Sequence, residues 1–260
     1  MSGIVLPDDF SEVLIVPIDQ PSTLSLSVLP ADDHPASPES EHRWAQLCAH
    51  NPALLNGPIL ALDAWHAQQQ RLTARVAHYQ QMVAPDPGRS RIVQIGVTGV
   101  ILARNTHASD DEPHVLLAQR THRTTVYPGQ WELAPSGGIN PPPHTPITLN
   151  LSAWLDALNR ESHEELGLDL TQSTIRTPML CFDPFAPSAD LVCIVHLAAQ
   201  CDDVDRSVTS HLASTWEYTA SQWIPVSRLA QAADDPATTI IPPSRAIMRA
   251  LARDHSLLKS

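Results

Sequence analysis

Short apolar runs broken by turn residues dominate the start of the chain, where Val13 to Val16 form one run and Leu24, Leu26 and Val28 alternate with serines in the next. A period of two is the pattern of strands that bury one face, so a small N-terminal sheet is predicted. Residues 31–42 are polar and carry prolines, which predicts a loop. Residues 43–50 predict a short helix that stops at Asn51-Pro52, because the residue before proline is pushed out of the α region. Residues 59–65 and 71–76 read as two strands of a hairpin and residues 78–83 as a brief helix, and Pro85-Asp86-Pro87-Gly88 closes this section. The texture changes at Ile92. Residues 92–104 and 114–121 are long apolar runs around a polar loop, 105–113, and predict a hairpin with one buried face. A strand over 131–134 runs into Pro135-Ser136-Gly137-Gly138. Beyond a proline-rich segment, 139–146, Leu151, Trp154, Leu155, Leu158 and Leu166 recur at helical spacing. They predict a helix over 151–166, with Asn150 or Ser152 as its cap and Gly167 as its stop. Strands follow over 178–182, 191–198 and 222–225, the last leading into 226–233, and an amphipathic helix over 244–254 is introduced by Pro242-Pro243. Hairpins grouped around one central helix and one terminal helix predict a mixed α+β layer fold.

Charge narrows the partners. The 260 residues hold 16 Lys and Arg against 28 Asp and Glu, a formal balance of −12. Binding to a nucleic-acid backbone needs a basic face that releases counterions, so no nucleic-acid partner is expected. An acidic protein that handles a phosphate needs a local device to cancel charge, such as a divalent metal or a few placed arginines. Cys48, Cys181, Cys193 and Cys201 form no CxxC pair, which argues against a zinc cage or a disulfide framework. No apolar run reaches the length of a membrane span, and the N-terminal stretch lacks the basic region of a secretory signal. A cytoplasmic location with no membrane partner is the expectation.

On the central helix, Glu161, Glu164 and Glu165 stand at i, i+3 and i+4, the spacing of one helix face. Carboxylates so placed repel each other unless a positive charge sits among them, and a hard dication such as Mg²⁺ or Mn²⁺ is held by oxygen ligands of this kind. A solvated acidic face has the same spacing. The Gly137-Gly138 pair at a strand end favours the ion, because two residues without side chains let a backbone carbonyl approach a metal or phosphate closely.

At these residues the sequence resembles the Nudix hydrolase family, whose box is written G-x5-E-x7-R-E-U-x-E-E-x-G-U, with U a bulky aliphatic residue. Arg160 to Leu168 match its second half with Ser162 in place of U, and Gly138 matches the opening glycine. The interval from Gly138 to Arg160 is about eight residues longer than the pattern, an insertion within 139–150, and Ser152 stands where the first Glu of the pattern belongs. Leu116 to Arg120, Tyr127-Pro128-Gly129-Gln130-Trp131, and Glu217 followed by Trp223-Ile224-Pro225 are similar to the family's strand, its YPGxW turn and its late acidic residue and W-V-P strand. The resemblance implies a Nudix-type α/β/α sandwich with a mixed sheet over residues 89–260, preceded by a small β-rich extension with short helices over 1–88. It also implies roles. Glu161 and Glu165 are the principal metal ligands, Glu164 a further ligand or a partner through water, the Gly137 carbonyl a backbone ligand, and Arg160 the residue that orients the carboxylates. Glu217 or a box glutamate takes the proton of the attacking water. Arg120, Arg123 and Gly138 are the candidate substrate contacts, and for the two arginines ordinary surface charge competes with that role. His163 reads as an exposed helix histidine.

Within the first 85 residues, Arg43-Trp44, Asn51-Pro52, Leu55-Asn56-Gly57-Pro58, Arg75-Val76 and Tyr79 are similar to the N-terminal extension of the UDP-glucose/UDP-galactose pyrophosphatases of that family, which also carry a long insertion after the glycines. This implies a metal-dependent hydrolase that cleaves a nucleoside diphosphate derivative, UDP-glucose or UDP-galactose, to UMP and sugar 1-phosphate, with a homodimer admitted. An ADP-ribose or dinucleotide pyrophosphatase and a non-catalytic Nudix-like nucleotide sensor are the alternatives. Isopentenyl diphosphate isomerases share the YPGxW turn but rely on a cysteine near it, and residues 132–138 contain none.

Overall fold

The computed structural model describes residues 11–31, 34–52, 54–105 and 112–258. Most of the polar loop read at 105–113 therefore lies outside the described residues. In chain order the elements are β1 (Leu14–Pro17), β2 (Ser25–Leu29), α1 (Pro38–His50), β3 (Pro58–His66), β4 (Arg71–His78), α2 (Tyr79–Val83), β5 (Gln94–Arg104), β6 (Pro113–Arg120), β7 (Trp131–Leu133) and β8 (Ser136–Gly138). They continue as β9 (Ile147–Asn150), α3 (Ser152–Glu161), β10 (Thr174–Asp183), β11 (Ser188–Gln200), α4 (Cys201–Leu212), β12 (Tyr218–Pro225), α5 (Leu229–Asp234) and α6 (Pro242–Arg253).

The strands join in one mixed sheet, ordered β1-β10-β11-β5-β3-β4-β2-β9, with β6, β7, β8 and β12 branching from it. Its axis is β5, which runs parallel to β11 and is buried along nearly its whole length. The single buried face read for residues 92–104 is thereby corrected: β5 is covered on both faces, Ile95 and Val97 entering one core and Val100 and Leu102 the other, and strands so covered read as continuous apolar runs without alternation. Near its start β5 pairs with β8, with Gly96 opposite Gly138, and near its end with β6, with Leu102 opposite Val115. Between these two pairings the sheet forks, and the functional groups lie at the fork.

Helices cover both faces, giving the α/β/α layering. One core packs Trp154 and Leu158 of α3 and Val204 and Val208 of α4 against Ile95, Val97 and Leu191. The other packs Ile247, Met248 and Leu251 of α6 against Val100, Leu102 and Ile194. Burying a Leu or Ile side chain contributes roughly 1.5–3 kcal/mol, so each layer is anchored by several such groups. Leu24, Leu26, Val28, Leu60, Trp65 and Leu72 belong to the first core, so residues from the N-terminal strands and from the central helix are buried together. Among the described residues no helix is long and apolar enough to cross a membrane.

The small sheet expected from the N-terminal strands is not separate, because β1 pairs with β10 and β2 with β4 and β9, and three further elements differ from the sequence reading. The first helix begins at Pro38, inside the segment read as a loop. Ser37 caps it by accepting the Ser40 N–H at 3.2 Å, and Pro38 occupies the first turn, where its missing N–H costs nothing. The proline there starts a helix instead of breaking one. The insertion contains a strand, β9, whose four residues pair with β2 from Ser25 opposite Asn150 to Val28 opposite Ile147. So short a strand is specified by its partner, not by its own pattern. Helix α4 was not anticipated; its buried Cys201, Val204 and Val208 make a narrow apolar stripe in a polar run.

Candidate active site

The central helix does not end as a plain α-helix. After Glu161 the chain widens into a π turn over Ser162–Leu166 and stops at Gly167, whose φ of 67° is the left-handed conformation that favours glycine. The Leu168 N–H donates back to the Ser162 carbonyl at 3.1 Å and closes the end. This turn sorts the three carboxylates. Glu165 is 5% exposed and Glu161 is half-buried, whereas the Glu164 side chain is 60% exposed and meets Arg160 at 3.5 Å.

Strand β8 is held to this helix end residue by residue. The Ser136 N–H donates to Glu165 Oε2 at 3.0 Å. Gly137 lies under the Glu161 carboxylate so closely that an added methyl would collide with it. The Gly138 carbonyl accepts from Arg160 Nη2 at 2.8 Å, while Arg160 Nη1 pairs with Glu161 Oε1 at 2.8 Å. Glycine at 137 thus answers to a close approach, and Arg160 serves as the bolt between helix and strand.

Behind them lies a second layer of acid. Glu132, on β7, is 2% exposed and is bonded to the Arg120 guanidinium, whose Nε also donates to the Val126 carbonyl at 3.0 Å. Tyr218 Oη is 2.8 Å from Glu132 Oε1 and 3.2 Å from Glu165 Oε2, and its single proton serves one of the two at a time. Glu217 is half-buried beside Glu165 and acts on it by charge and hydrogen bonding.

Burial followed by like charge governs the electrostatics. Burial first, then Glu217, Glu132 and Glu161, hold the Glu165 carboxyl well above the usual range. Burial lifts Glu161 to about 7, with Glu164 and Glu217 adding to the rise and Arg160 opposing it. Glu132 is raised by burial despite Arg120. Two arginines, Arg120 and Arg160, face four carboxylates here, Glu132, Glu161, Glu165 and Glu217, so the corner lacks positive charge. A hard dication is the group that supplies it, and the oxygens of Glu161, Glu165, Glu217 and the Gly137 carbonyl are donors of the right kind. Among the described residues no three acidic, imidazole or thiol side chains converge on an ion position as they stand. Glu161 is engaged by Arg160, and Glu165 by Ser136 and Tyr218.

A cavity of about 620 Å³ opens from this corner, lined by Arg120, Glu132, Gly137 and Gly138 and, on the far side, by Leu47, Tyr79 and Met82 of the N-terminal helices. The residues singled out in the sequence fall into three groups. Glu161, Glu165, Arg160, Gly137, Gly138, Arg120 and Glu217 gather around the corner. Glu164 stays outside it. Arg123 sits on an exposed turn, its N–H donating to Thr121 Oγ1 at 3.2 Å, and is not among the cavity-lining residues. His163 is exposed. Sequence reasoning missed Glu132 and Tyr218. The one local signal for Glu132 was a glutamate set between Trp131 and Leu133 in a short apolar strand.

The family model described as NUDIX domain matches residues 94–242. Among solved structures the chain is similar to a Nudix hydrolase from Alicyclobacillus acidocaldarius, at 15% identity over 62% of this chain and 91% of that one with a TM-score of 0.41. It is similar also to a MutT protein from Methanosarcina mazei, at 17% identity over 62% and 94% with a TM-score of 0.40. A third similar structure is the Nudix domain of Shewanella oneidensis NrtR complexed with ADP ribose, at 17% identity over 66% and 93% with a TM-score of 0.41. No curated protein sequence matches the chain.

Proposed function

This chain belongs to the Nudix family and is a pyrophosphohydrolase of it; from that premise we propose that it hydrolyses a nucleoside diphosphate joined to a second moiety, with UDP-glucose or UDP-galactose as the favoured substrate. Water adds to one phosphorus, the bridging P–O bond breaks, and UMP and sugar 1-phosphate leave. The observation that carries this reading is the interlock of β8 with the helix end, in which Ser136, Gly137 and Gly138 are engaged in turn by Glu165, Glu161 and Arg160.

Glu161, Glu165 and the Gly137 carbonyl would hold the divalent ion, Mg²⁺ or Mn²⁺, with Glu164 as an outer partner. When bound it would supply charge for the diphosphate and a more acidic water. The chain's own groups do the rest. Arg160 keeps Glu161 against the glycines, Tyr218 and Ser136 aim the Glu165 carboxyl, and Glu217 takes the proton of the attacking water. Arg120 holds Glu132 at the cavity wall and faces the phosphates, and Arg123 meets only a part of the substrate that projects from the cavity. We place this chemistry in the cytoplasm, which suits the four free thiols, and on a small molecule instead of a nucleic acid, which suits the net charge of −12; a homodimer remains compatible.

A product-resolved assay with UDP-glucose, UDP-galactose, ADP-ribose, NADH and nucleoside triphosphates in the presence of Mg²⁺ or Mn²⁺ tests the reading. UMP from the first two alone is the expected result. AMP from ADP-ribose or NADH as the main product would replace the substrate assignment.

A further inference from the structure

Beyond the acidic corner the cavity has a polar floor that the hydrolytic reading does not use. The parallel pairing of β5 and β11 sets Gln94 opposite Ser188 and Gly96 opposite Asp190. Alternation along a strand then puts all four on one face of the sheet. Gln94, Ser188, Gly96 and Asp190 all line the cavity. Asp190 is enclosed by protein yet keeps contact with the cavity interior. Its Oδ2 accepts from Ser188 Oγ at 2.7 Å, and among the described residues its Oδ1 has no hydrogen-bond partner. The neighbouring Asp183 differs. It also lines the cavity, but it accepts from Tyr127 Oη at 2.7 Å and from the Phe185 N–H at 2.8 Å, so both its oxygens are engaged within the protein. The Gln94 side-chain amide likewise makes no hydrogen bond among the described residues and lies over Gly138, where a side chain would collide with it.

The two glycines open the space these groups face. A methyl on Gly96 would collide with Asp190 Oδ1 and sit 2.8 Å from the Gly137 carbonyl oxygen, so the open carboxylate oxygen adjoins the corner assigned to the diphosphate. An acceptor that faces the cavity and has no partner among the described residues is open to a donor from a ligand. A carboxylate repels a further phosphate and asks for O–H or N–H donors, and an amide both gives and accepts, as a hydroxyl does. What reaches this close to the diphosphate is a ring bonded directly to a phosphate, not a base one ring further out. Resting on the hydrolytic reading above, we propose that Asp190 and Gln94 form the specificity subsite for the vicinal hydroxyls of a sugar ring attached to the substrate's diphosphate.

Two rings of a nucleoside diphosphate sugar meet that description, the ribose and the pendant sugar, and deoxy analogues separate them. UDP-glucose, its 2′-deoxyribose analogue and its 2-deoxyglucose analogue are assayed with wild type, Asp190→Asn and Gln94→Leu. Wild type is expected to disfavour one of the two deoxy compounds by about threefold to tenfold in KM, the factor an ordinary hydrogen bond carries, since burial keeps the Asp190 carboxyl partly protonated near neutrality. Both variants should lose that preference, with the loss carried by KM and not by kcat. A preference kept in full by Asp190→Asn, or by Gln94→Leu if the first variant does not fold, overturns the proposal, as does a loss confined to kcat. If wild type releases no UMP from any of the three compounds, the UDP-sugar reading fails. The subsite is then read by calorimetry with the same three compounds, where equal affinities in wild type overturn it.

Discussion

Strands β8 and β9 flank the same proline-rich segment, 139–146, and they are held by opposite means. The three residues of β8 are gripped by charged side chains of the helix that follows, through Arg160, Glu161 and Glu165. The four residues of β9 are held by a backbone ladder to β2, with Leu149 opposite Leu26. The first arrangement fixes positions of charge, and the second fixes only where a strand lies. This is how the chain accommodates about eight additional residues between the glycines and the helix: the insertion is fastened to the N-terminal strands, and the contacts across the corner are left as they are. The contrast yields three ways to test it, because a change at β8 should be felt in chemistry and a change at the β2–β9 seam in stability.

The largest effect is expected at the corner. Glu165→Gln keeps an oxygen for the Ser136 N–H but removes a charged ligand, so kcat should fall by about a hundredfold to a thousandfold with the ion present, the range seen when a group that stabilises reacting charge is removed. The fold should survive, because Gln imitates the protonated carboxyl that burial among Glu217, Glu132 and Glu161 already favours. Steady-state kinetics on the soluble protein, with urea unfolding beside them, check both halves. Full activity in the variant would remove Glu165 from the site.

How far the sequence reaches follows the same division. Arg160, Glu161, Glu165 and the glycine pair were legible because their relation is local, written in spacings along one helix and one strand end. The mixed α+β character was legible in the hairpins grouped around two helices, and the α/β/α layering only through the resemblance carried by Gly138 and Arg160 to Leu168. Glu132 and Tyr218 were not, since their meaning lies in a hydrogen bond across 86 positions of chain. Asp190 faces Gly96 only because β11 lies parallel to β5, a pairing that no pattern in either strand announces. The insertion within 139–150 hid β9 for the same reason.

A middle-sized effect is expected at the seam. Leu26 is fully buried in β2 between β4 and β9, opposite Leu72 and Leu149. Leu26→Ala leaves a cavity in the shared core, and a loss of about 2–5 kcal/mol is expected in urea unfolding. The folded fraction should retain its kcat, because the strands that flank Leu26, through Leu72 and Leu149, carry no group of the corner. A large fall in kcat per folded molecule would show that the seam positions the charges after all.

The smallest effect is expected at the entrance to α1, and it is the most discriminating. Ser37 makes two kinds of contact: its Oγ accepts the Ser40 N–H at 3.2 Å, and its backbone N–H donates to Asp86 Oδ1 at 2.7 Å. Ser37→Ala removes the first and keeps the second, so the helix loses its cap but not its tether to the loop after α2. A lost cap costs about 1 kcal/mol. For a chain of this size that is about 2–4 °C in Tm. The Asp86 carboxyl is held below its ordinary range first by the Ser37 side chain and next by the Ser37 N–H, so losing the side chain should move it part of the way back up, which NMR titration reads directly. Helix α1 contributes Leu47 to the cavity wall but no group to the acidic corner, so kcat should not change. A fall in kcat together with an unmoved Tm would mean that the N-terminal helix acts on the chemistry itself, and the separation between a charge-fixing strand and a stability-bearing seam would fail.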